Sequence, residues 1–63
     1  MTLEEAIRTA IEYEVKVRDV YRDAVDSISD ESGRRVVQQL AVEEQDHVDY
    51  LTTRLKEWKK DGT

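Results

Sequence analysis

The sequence predicts an all-α fold, an antiparallel helical hairpin that pairs with a second copy into a four-helix bundle. Charged residues occupy 40% of the 63 positions, against about 25% in an ordinary globular domain. The chain contains two glycines and no proline, so little interrupts a helix. Two stretches carry apolar residues at alternating spacings of three and four, and one turn separates them.

The length allows one domain, residues 1–63, that is marginally stable by itself. A chain of this size buries only about 60% of the surface that its unfolded form exposes, and association, metal ions or disulfides commonly stabilise such domains. The sequence has no cysteine, which excludes disulfides, iron-sulfur clusters and a four-thiolate iron centre. Association and metal binding remain as the ways in which this domain could be stabilised.

The charge and the hydropathy exclude two classes of partner. The net charge is -5, whereas a protein that binds nucleic acid needs a basic surface. An acidic surface attracts cations instead. No apolar run approaches the roughly 20 residues of a membrane span, and the N-terminus carries Glu4 and Glu5, unlike a signal peptide. We therefore expect a cytoplasmic protein with no nucleic-acid or membrane partner.

The first helix is predicted over residues 3–28. Thr2 and Glu5 have the spacing of a capping box, in which each side chain accepts a hydrogen bond from the backbone N–H of the other. An apolar stripe then follows the 4-3-4-3 spacing of a helix that meets partner helices. Its members are Leu3, Ile7, Ala10, Glu14, Val17, Tyr21, Ala24 and Ile28. Glu14 is the acidic interruption of this stripe.

A Ser/Asp-rich turn separates the helices, with Ser29 or Asp30 as the best candidate to cap the second one. The second helix is predicted over residues 31–60. Residues suited to its C-terminus are Lys59, Lys60 and Gly62. Its stripe comprises Val37, Leu40, Glu44, His47, Leu51 and then Leu55 or Trp58, with Val36, Ala41 and Val48 at the edges. A carboxylate and an imidazole therefore interrupt the second stripe.

The register of the hairpin predicts where these interruptions meet. With the turn centred near residue 29 or 30, residue i lies level with residue 59 minus i, so Glu14 falls between Glu44 and His47. Each helix is about 40 Å long at 1.5 Å per residue, and the pair leaves an apolar face uncovered. A homodimer, or a higher even-numbered homo-oligomer, covers that face by forming a four-helix bundle.

Glu14, Glu44 and His47 are predicted to be both metal ligands and catalytic residues. Positions 44 and 47 share a helix face, and a glutamate of the facing helix can bind the same ion or bridge two. Carboxylates and imidazole suit iron, with manganese or zinc as substitutes. A two-fold axis at mid-height would join two such trios into the ligand set of carboxylate-bridged di-iron bundles. Without cations, carboxylates in a bundle core would be costly or become protonated.

Each of these residues also has a non-functional interpretation. Glu14 alone would be a solvated carboxylate at the edge of the stripe, and His47 alone a core histidine with a satisfied hydrogen bond. Tyr21 is either an ordinary stripe residue or a hydroxyl that orients a ligating carboxylate of a neighbouring helix. Of the two adjacent glutamates, Glu44 is assigned to metal and Glu43 to the solvated face.

These motifs resemble the ferritin-like superfamily, particularly the rubrerythrins and the short encapsulated ferritins. Glu14-x6-Tyr21 is followed, across a short turn, by Glu44-x-x-His47 within the segment LAVEEQDH, and the similarity covers about residues 5–58. The resemblance implies that Glu14, Glu44 and His47 are iron ligands shared across a two-fold interface, supported by the tyrosine at position 21. It also implies ferroxidase chemistry, in which dioxygen or peroxide oxidises two Fe(II).

The sequence departs from this family in two ways. A full ferritin or rubrerythrin carries four helices in one chain, so a two-helix chain must build the site between subunits. Encapsulated ferritins continue into a further helix and a shell-targeting tail, whereas this sequence stops at Thr63. An encapsulating shell protein, and a location inside that shell, is an expectation that rests on the resemblance alone.

The leading hypothesis is a di-iron ferroxidase that serves iron storage or detoxification. A rubrerythrin-like peroxide reductase is the first alternative, and it would need an external electron donor because the chain has no cysteine for a rubredoxin-type centre. The second alternative is a non-catalytic dimerisation or adaptor module, in which Glu44 and His47 fix the helix register. The acidic charge disfavours an RNA-binding hairpin.

Overall fold

The structure, a computed structural model, describes residues 1–61 as two α-helices joined by a tight turn. Helix α1 spans Leu3–Ser27 and helix α2 spans Glu31–Lys60, with no strand among these residues. The all-α prediction is confirmed, and α1 ends one residue earlier than the predicted position 28. Gly62, predicted to mark the end of α2, lies outside the described residues. Neither helix has the length and apolar character needed to cross a membrane.

Side-chain caps fix where both helices begin. The capping box forms as predicted, because the Glu5 N–H donates to Thr2 Oγ1 at 3.1 Å and the Thr2 N–H donates to Glu5 Oε1 at 2.8 Å. Asp30 caps α2, and its Oδ2 accepts a 2.8 Å hydrogen bond from the Gly33 N–H. A Cβ at position 33 would lie 3.1 Å from that oxygen, so glycine permits the close approach.

The two helices run antiparallel in a single layer. Lys59 near the end of α2 donates to Glu4 Oε2 near the start of α1 at 3.3 Å, and Arg18 donates to Gln45 at mid-height. The molecule measures 49 × 18 × 10 Å. Its thinnest dimension is about the diameter of one helix, so no second layer covers either broad side of the pair.

The buried residues form one line along α2. Ala41, Val48 and Leu55 are 8%, 9% and 6% exposed and recur every seven residues, whereas α1 has no buried residue. Ala41 and Val48 were predicted at the edge of the stripe, and this placement was wrong. His47, predicted within the stripe, is exposed. Two cylinders touch along a single line, which is narrower than the apolar stripe, so the rest of the stripe stays open in one hairpin.

The open part of the stripe lies on one side of the hairpin, here named the apolar flank. At about 100° per residue, α1 presents there a 3-4 repeat of Leu3, Ala6, Ala10, Tyr13, Val17, Val20 and Ala24. Helix α2 adds Leu40, Leu51 and Trp58. In α1 the larger members are uncovered, with Leu3 51%, Tyr13 71% and Val20 64% exposed.

The opposite side, here named the polar flank, carries hydrophilic side chains. Its hydrophilic members at and around mid-height are Arg18, Arg22, Gln38, Gln45, Asp49 and Thr52, and Val42 lies beside Arg22 and Gln45 on the same side. The two flanks therefore differ in chemistry although the same pair of helices builds both.

Candidate metal centre

The structure brings Glu14, Glu44 and His47 together at the middle of the hairpin. His47 Nδ1 lies 3.3 Å from Glu14 Oε2 and 3.4 Å from Glu44 Oε2. One ligand atom from each residue falls within 4.8 Å of the other two. The antiparallel register therefore places Glu14 level with Glu44 and His47, as the position of the turn predicts.

The separations within this cluster suit one shared cation. Oxygen and nitrogen donors bind metals at about 2.0–2.2 Å, so two donors on one ion lie roughly 3 to 3.5 Å apart. The two measured distances from His47 Nδ1 fall within that range. The arrangement uses i and i+3 positions on α2 and a glutamate from α1, so both rigid helices contribute donors.

One oxygen of the cluster has no partner of its own. Glu44 Oε2 is shielded from solvent and has no hydrogen bond of good geometry, although His47 Nδ1 lies 3.4 Å away. Among residues 1–61, neither Glu14 nor Glu44 is paired with a lysine or an arginine, and the basic group beside both is His47. A buried carboxylate oxygen normally has a donor or a cation, so the cluster fits a positive ion placed among its three donor atoms.

The cluster is open on the side that faces the apolar flank. The Glu44 side chain is 18% exposed and the Glu14 side chain 32%, whereas His47 is 59% exposed. A single hairpin therefore covers the carboxylates partly and leaves the imidazole uncovered. Three donors are also fewer than an iron or manganese ion takes, so further ligands must come from outside this hairpin.

The pKa shifts describe two carboxyl groups that compete for one proton. Hydrogen bonding between them lowers the pKa of Glu14 and raises the pKa of Glu44, which partial burial raises further. The hydrogen bond to Glu14 and the nearby carboxylate of Glu44 raise the pKa of His47 above its ordinary 6.5. Because protons compete with a cation for these donor atoms, metal binding at the cluster would depend on pH.

The net charge of the chain is concentrated at the height of this cluster. Residues 12–16 and 43–49 contain six acidic residues and one lysine, and the rest of the chain contains nine acidic and nine basic residues. The central band alone therefore carries a charge of -5, the value for the whole chain. Such a band raises the local concentration of cations.

Two other sequence predictions fall beside the cluster. Tyr21 is half-buried on α1 and makes no hydrogen bond to Glu14, Glu44 or His47 within the described hairpin. Its predicted partner is a carboxylate of another helix, so that role stays a prediction. Glu43 is exposed and lies outside the group of convergent donors, which agrees with its assignment to the solvated face.

The sequence did not identify the hydrogen-bond network on the polar flank at the same height. Gln45 Oε1 accepts from Arg18 Nη1 at 2.7 Å and from Arg22 Nη2 at 3.3 Å, and Gln45 Nε2 donates to Asp49 Oδ1 at 2.9 Å. Arg18 also donates to Asp19 Oδ1 at 3.0 and 2.9 Å. The i, i+4 spacing of Gln45 and Asp49 was a usable signal, but the contacts between helices depend on the reach of long side chains.

Comparisons with known proteins give no independent indication of function. No protein-family model, no curated protein and no solved structure matches this chain. The resemblance to the ferritin-like superfamily therefore rests on the motif residues alone. The geometry of the cluster is the remaining indication of function.

Proposed function

We propose that two hairpins pair through their apolar flanks and enclose a di-iron site at which Fe(II) is oxidised. The observation that carries the proposal is the convergence of Glu14 Oε2, Glu44 Oε2 and His47 Nδ1 in the middle of an uncovered apolar surface. Ionisable groups at such a surface need a partner once the surface is covered, and a cation supplies one.

The apolar flank gives the reason for pairing. Helix α1 presents seven apolar residues in heptad spacing there, and three of the four that are larger than alanine are more than half exposed. Knobs-into-holes packing against a second hairpin would bury them, as in a four-helix bundle. The polar flank has no such repeat, so the second copy belongs on the side that carries the cluster.

Pairing also completes the ligand set. The cluster lies near the midpoint of both helices, so a two-fold axis at that height brings two clusters together. Four carboxylates and two imidazoles then surround the bundle centre, which is the inventory of carboxylate-bridged di-iron bundles. The negative charge of the four glutamates balances the charge of two Fe(II), and Glu44 Oε2 gains the positive partner that it lacks.

The residues of the chain bind and orient the substrate ions, and iron supplies the redox chemistry. Glu14 and Glu44 provide hard anionic donors, which stabilise Fe(III) more than Fe(II) and so favour oxidation. His47 must bind through Nδ1 as the neutral imidazole, with its remaining proton on Nε2. Two Fe(II) lose one electron each, and dioxygen takes both electrons with two protons to give hydrogen peroxide. The ferric product then enters iron storage or detoxification.

Anaerobic titration of the metal-free protein with Fe(II), followed by admission of air, tests this proposal. We expect binding of about one Fe(II) per chain and then the near-ultraviolet absorption of ferric iron. Glu44→Ala should abolish both signals. The matched control is Glu43→Ala, which removes the neighbouring exposed carboxylate and should leave both unchanged.

Other results would favour the alternative functions. Wild-type protein that binds no Fe(II), or Glu44→Ala protein that binds and oxidises it normally, would contradict the ferroxidase proposal. A dimer without metal would then favour the adaptor module. Faster oxidation by hydrogen peroxide than by dioxygen would favour the peroxide reductase.

A further inference from the structure

The geometry points to Gln45 and Arg18 as positioning residues for the metal centre, and we infer that their hydrogen bond sets the register of the two helices. This inference rests on the proposed function only for its effect on metal binding. The register itself is a property of the hairpin without metal.

A polar bond that fixes the register is needed because the buried contact between the helices is apolar. The buried line consists of Ala41, Val48 and Leu55, all aliphatic and all on α2. Apolar contacts of this kind are non-directional, so they resist separation of the helices more strongly than sliding along their axes. A shift of about 1–2 Å along the axes, of the size that packed helices undergo, would already break the 3.3 Å contact between Glu14 Oε2 and His47 Nδ1.

The cluster itself is a weak restraint on sliding. Its contact between helices is the 3.3 Å approach of Glu14 Oε2 to His47 Nδ1, which is long for a hydrogen bond and joins side chains that are 32% and 59% exposed. Lys59 and Glu4 meet at 3.3 Å near the far end of the hairpin, where both side chains are substantially exposed. Exposed pairs of this type contribute little to stability.

The hydrogen bond between Arg18 and Gln45 is shorter than the Glu14–His47 and Lys59–Glu4 contacts, and the Arg18 side chain is less exposed than theirs. Arg18 Nη1 donates to Gln45 Oε1 at 2.7 Å, and the Arg18 side chain is 17% exposed. Asp19 and Asp49 hold the two partners in position, because each accepts a hydrogen bond from one of them. A charge-assisted bond between preorganised groups is directional and strong, so it restrains the register.

The bond lies at the height of the metal centre and on the other flank. Gln45 directly follows Glu44 but lies about 160° around α2 from His47. Arg18 is one turn beyond Glu14 on α1. Because helices are rigid along their axes, a bond that fixes Arg18 against Gln45 also fixes Glu14 against Glu44. Neither residue belongs to the group of three convergent donors, so the polar flank would position the donors without competing for an ion.

Gln45→Leu tests the inference, with Gln38→Leu as the matched control. Both changes replace a glutamine by leucine on the polar flank of α2, one heptad apart, and Gln38 is exposed with no hydrogen bond to α1. The exchange variant R18Q/Q45R restores a donor and an acceptor in reverse order and should rescue the effect.

Two measurements separate register from metal binding. Spin labels at Lys16→Cys and Lys56→Cys report the axial offset of the helices, since both sites are exposed and the natural chain has no cysteine. The labelled chain is diluted into excess unlabelled chain, so that distances within one hairpin are read. Anaerobic Fe(II) titration reports affinity. For Gln45→Leu we expect a shifted or broadened distance distribution without metal and about a 10- to 100-fold weaker affinity for Fe(II).

Each result decides one of the two proposals. An unchanged label distance in Gln45→Leu overturns the inference, and so does a shifted distance with wild-type Fe(II) affinity. If Gln38→Leu shifts the distance equally, the effect belongs to the added leucine and the inference is overturned. If wild-type protein binds no Fe(II), the proposed function fails, while the label distance still decides whether Gln45 sets the register.

Discussion

At the middle of the hairpin, the two flanks are built from the same two helices, yet their polar side chains differ in hydrogen bonding. On the polar flank, Gln45 Oε1 accepts hydrogen bonds from Arg18 and Arg22 and Gln45 Nε2 donates one to Asp49, at 2.7 to 3.3 Å. On the apolar flank, Glu44 has a buried oxygen without a hydrogen bond, beside a histidine. The polar groups of the polar flank therefore find partners within one chain, whereas the apolar flank leaves a buried carboxylate oxygen without a hydrogen bond.

From this difference we propose that the partners of the apolar flank are a cation and a second copy of the hairpin. A set of polar side chains that satisfies itself stabilises the hairpin alone. A set of convergent donors within an uncovered apolar surface would stabilise the hairpin through the binding of a cation and a second copy. Functional sites commonly break the local rules that the rest of a fold obeys.

The largest expected effect is on dimerisation, which we expect to depend on the apolar flank alone. Val20→Glu places a carboxylate on the apolar flank, where a two-fold dimer would bury it twice without a partner. We expect dimer affinity to fall by about 1000-fold or more, because each buried charge costs several kcal/mol. Val42→Glu adds the same charge at a 54% exposed valine outside that flank and should leave dimerisation unchanged. Sedimentation equilibrium of both variants measures the difference, and equal dimerisation would contradict pairing through the apolar flank.

Glu44→Gln should change metal affinity and stability in opposite directions. The amide keeps the shape of the side chain but removes a charged ligand, so we expect Fe(II) affinity to fall by about 100-fold. Folding raises the pKa of Glu44, so the ionised group destabilises the metal-free fold increasingly as the pH rises above its ordinary pKa. At neutral pH the metal-free variant should therefore unfold at a higher denaturant concentration than wild type. A loss in both measurements would indicate that Glu44 is a structural residue.

Leu55→Ala tests the contact line that lies between the flanks. Leu55 is the least exposed residue of the hairpin, so its truncation should lower the free energy of unfolding by about 2 kcal/mol. It lies away from the cluster, and Fe(II) affinity should stay at the wild-type value at temperatures where the variant is folded. Val42→Ala, at an exposed valine, should change the free energy of unfolding by less than about 0.5 kcal/mol. Urea titration of both variants checks this contrast.

The pH dependence of metal binding gives the smallest of these effects. The raised pKa of His47 means that its protonated form stabilises the metal-free fold below pH 6.5, and that this contribution is lost as the pH rises through the raised value. Metal binding requires neutral His47, so affinity should increase by about tenfold per pH unit below that pKa and level off above it. Calorimetric titration with Zn(II), which does not change oxidation state, avoids interference from oxidation. A flat profile over this range would exclude His47 as a ligand.

Much of the fold could be predicted because its determinants are local. The cap at Thr2, the turn ending at Asp30 and the apolar spacing each act within a few residues. The meeting of Glu14 with Glu44 and His47 was also predictable, since in a two-helix hairpin the position of the turn sets the approximate register, which the Arg18–Gln45 bond is proposed to fix more closely.

The division of the apolar stripe could not be predicted in the same way. Spacing shows that a residue is apolar and on one side of a helix, but it does not show which helix covers it. Ala41 and Val48 are buried, whereas Leu40 is left half-buried on the apolar flank. The bond between Arg18 and Gln45 depends on rotamers of long side chains and likewise has no periodic signal.

The central claim is that the apolar flank is a metal site completed by a second hairpin. Native mass spectrometry of protein loaded anaerobically with Fe(II) tests it most directly, because it counts chains and ions in one particle. For a chain of 7.4 kDa, the account predicts an assembly of two chains, or a multiple of two, with about one iron per chain. A monomer that carries no iron, or a dimer that forms fully and binds none, would contradict it.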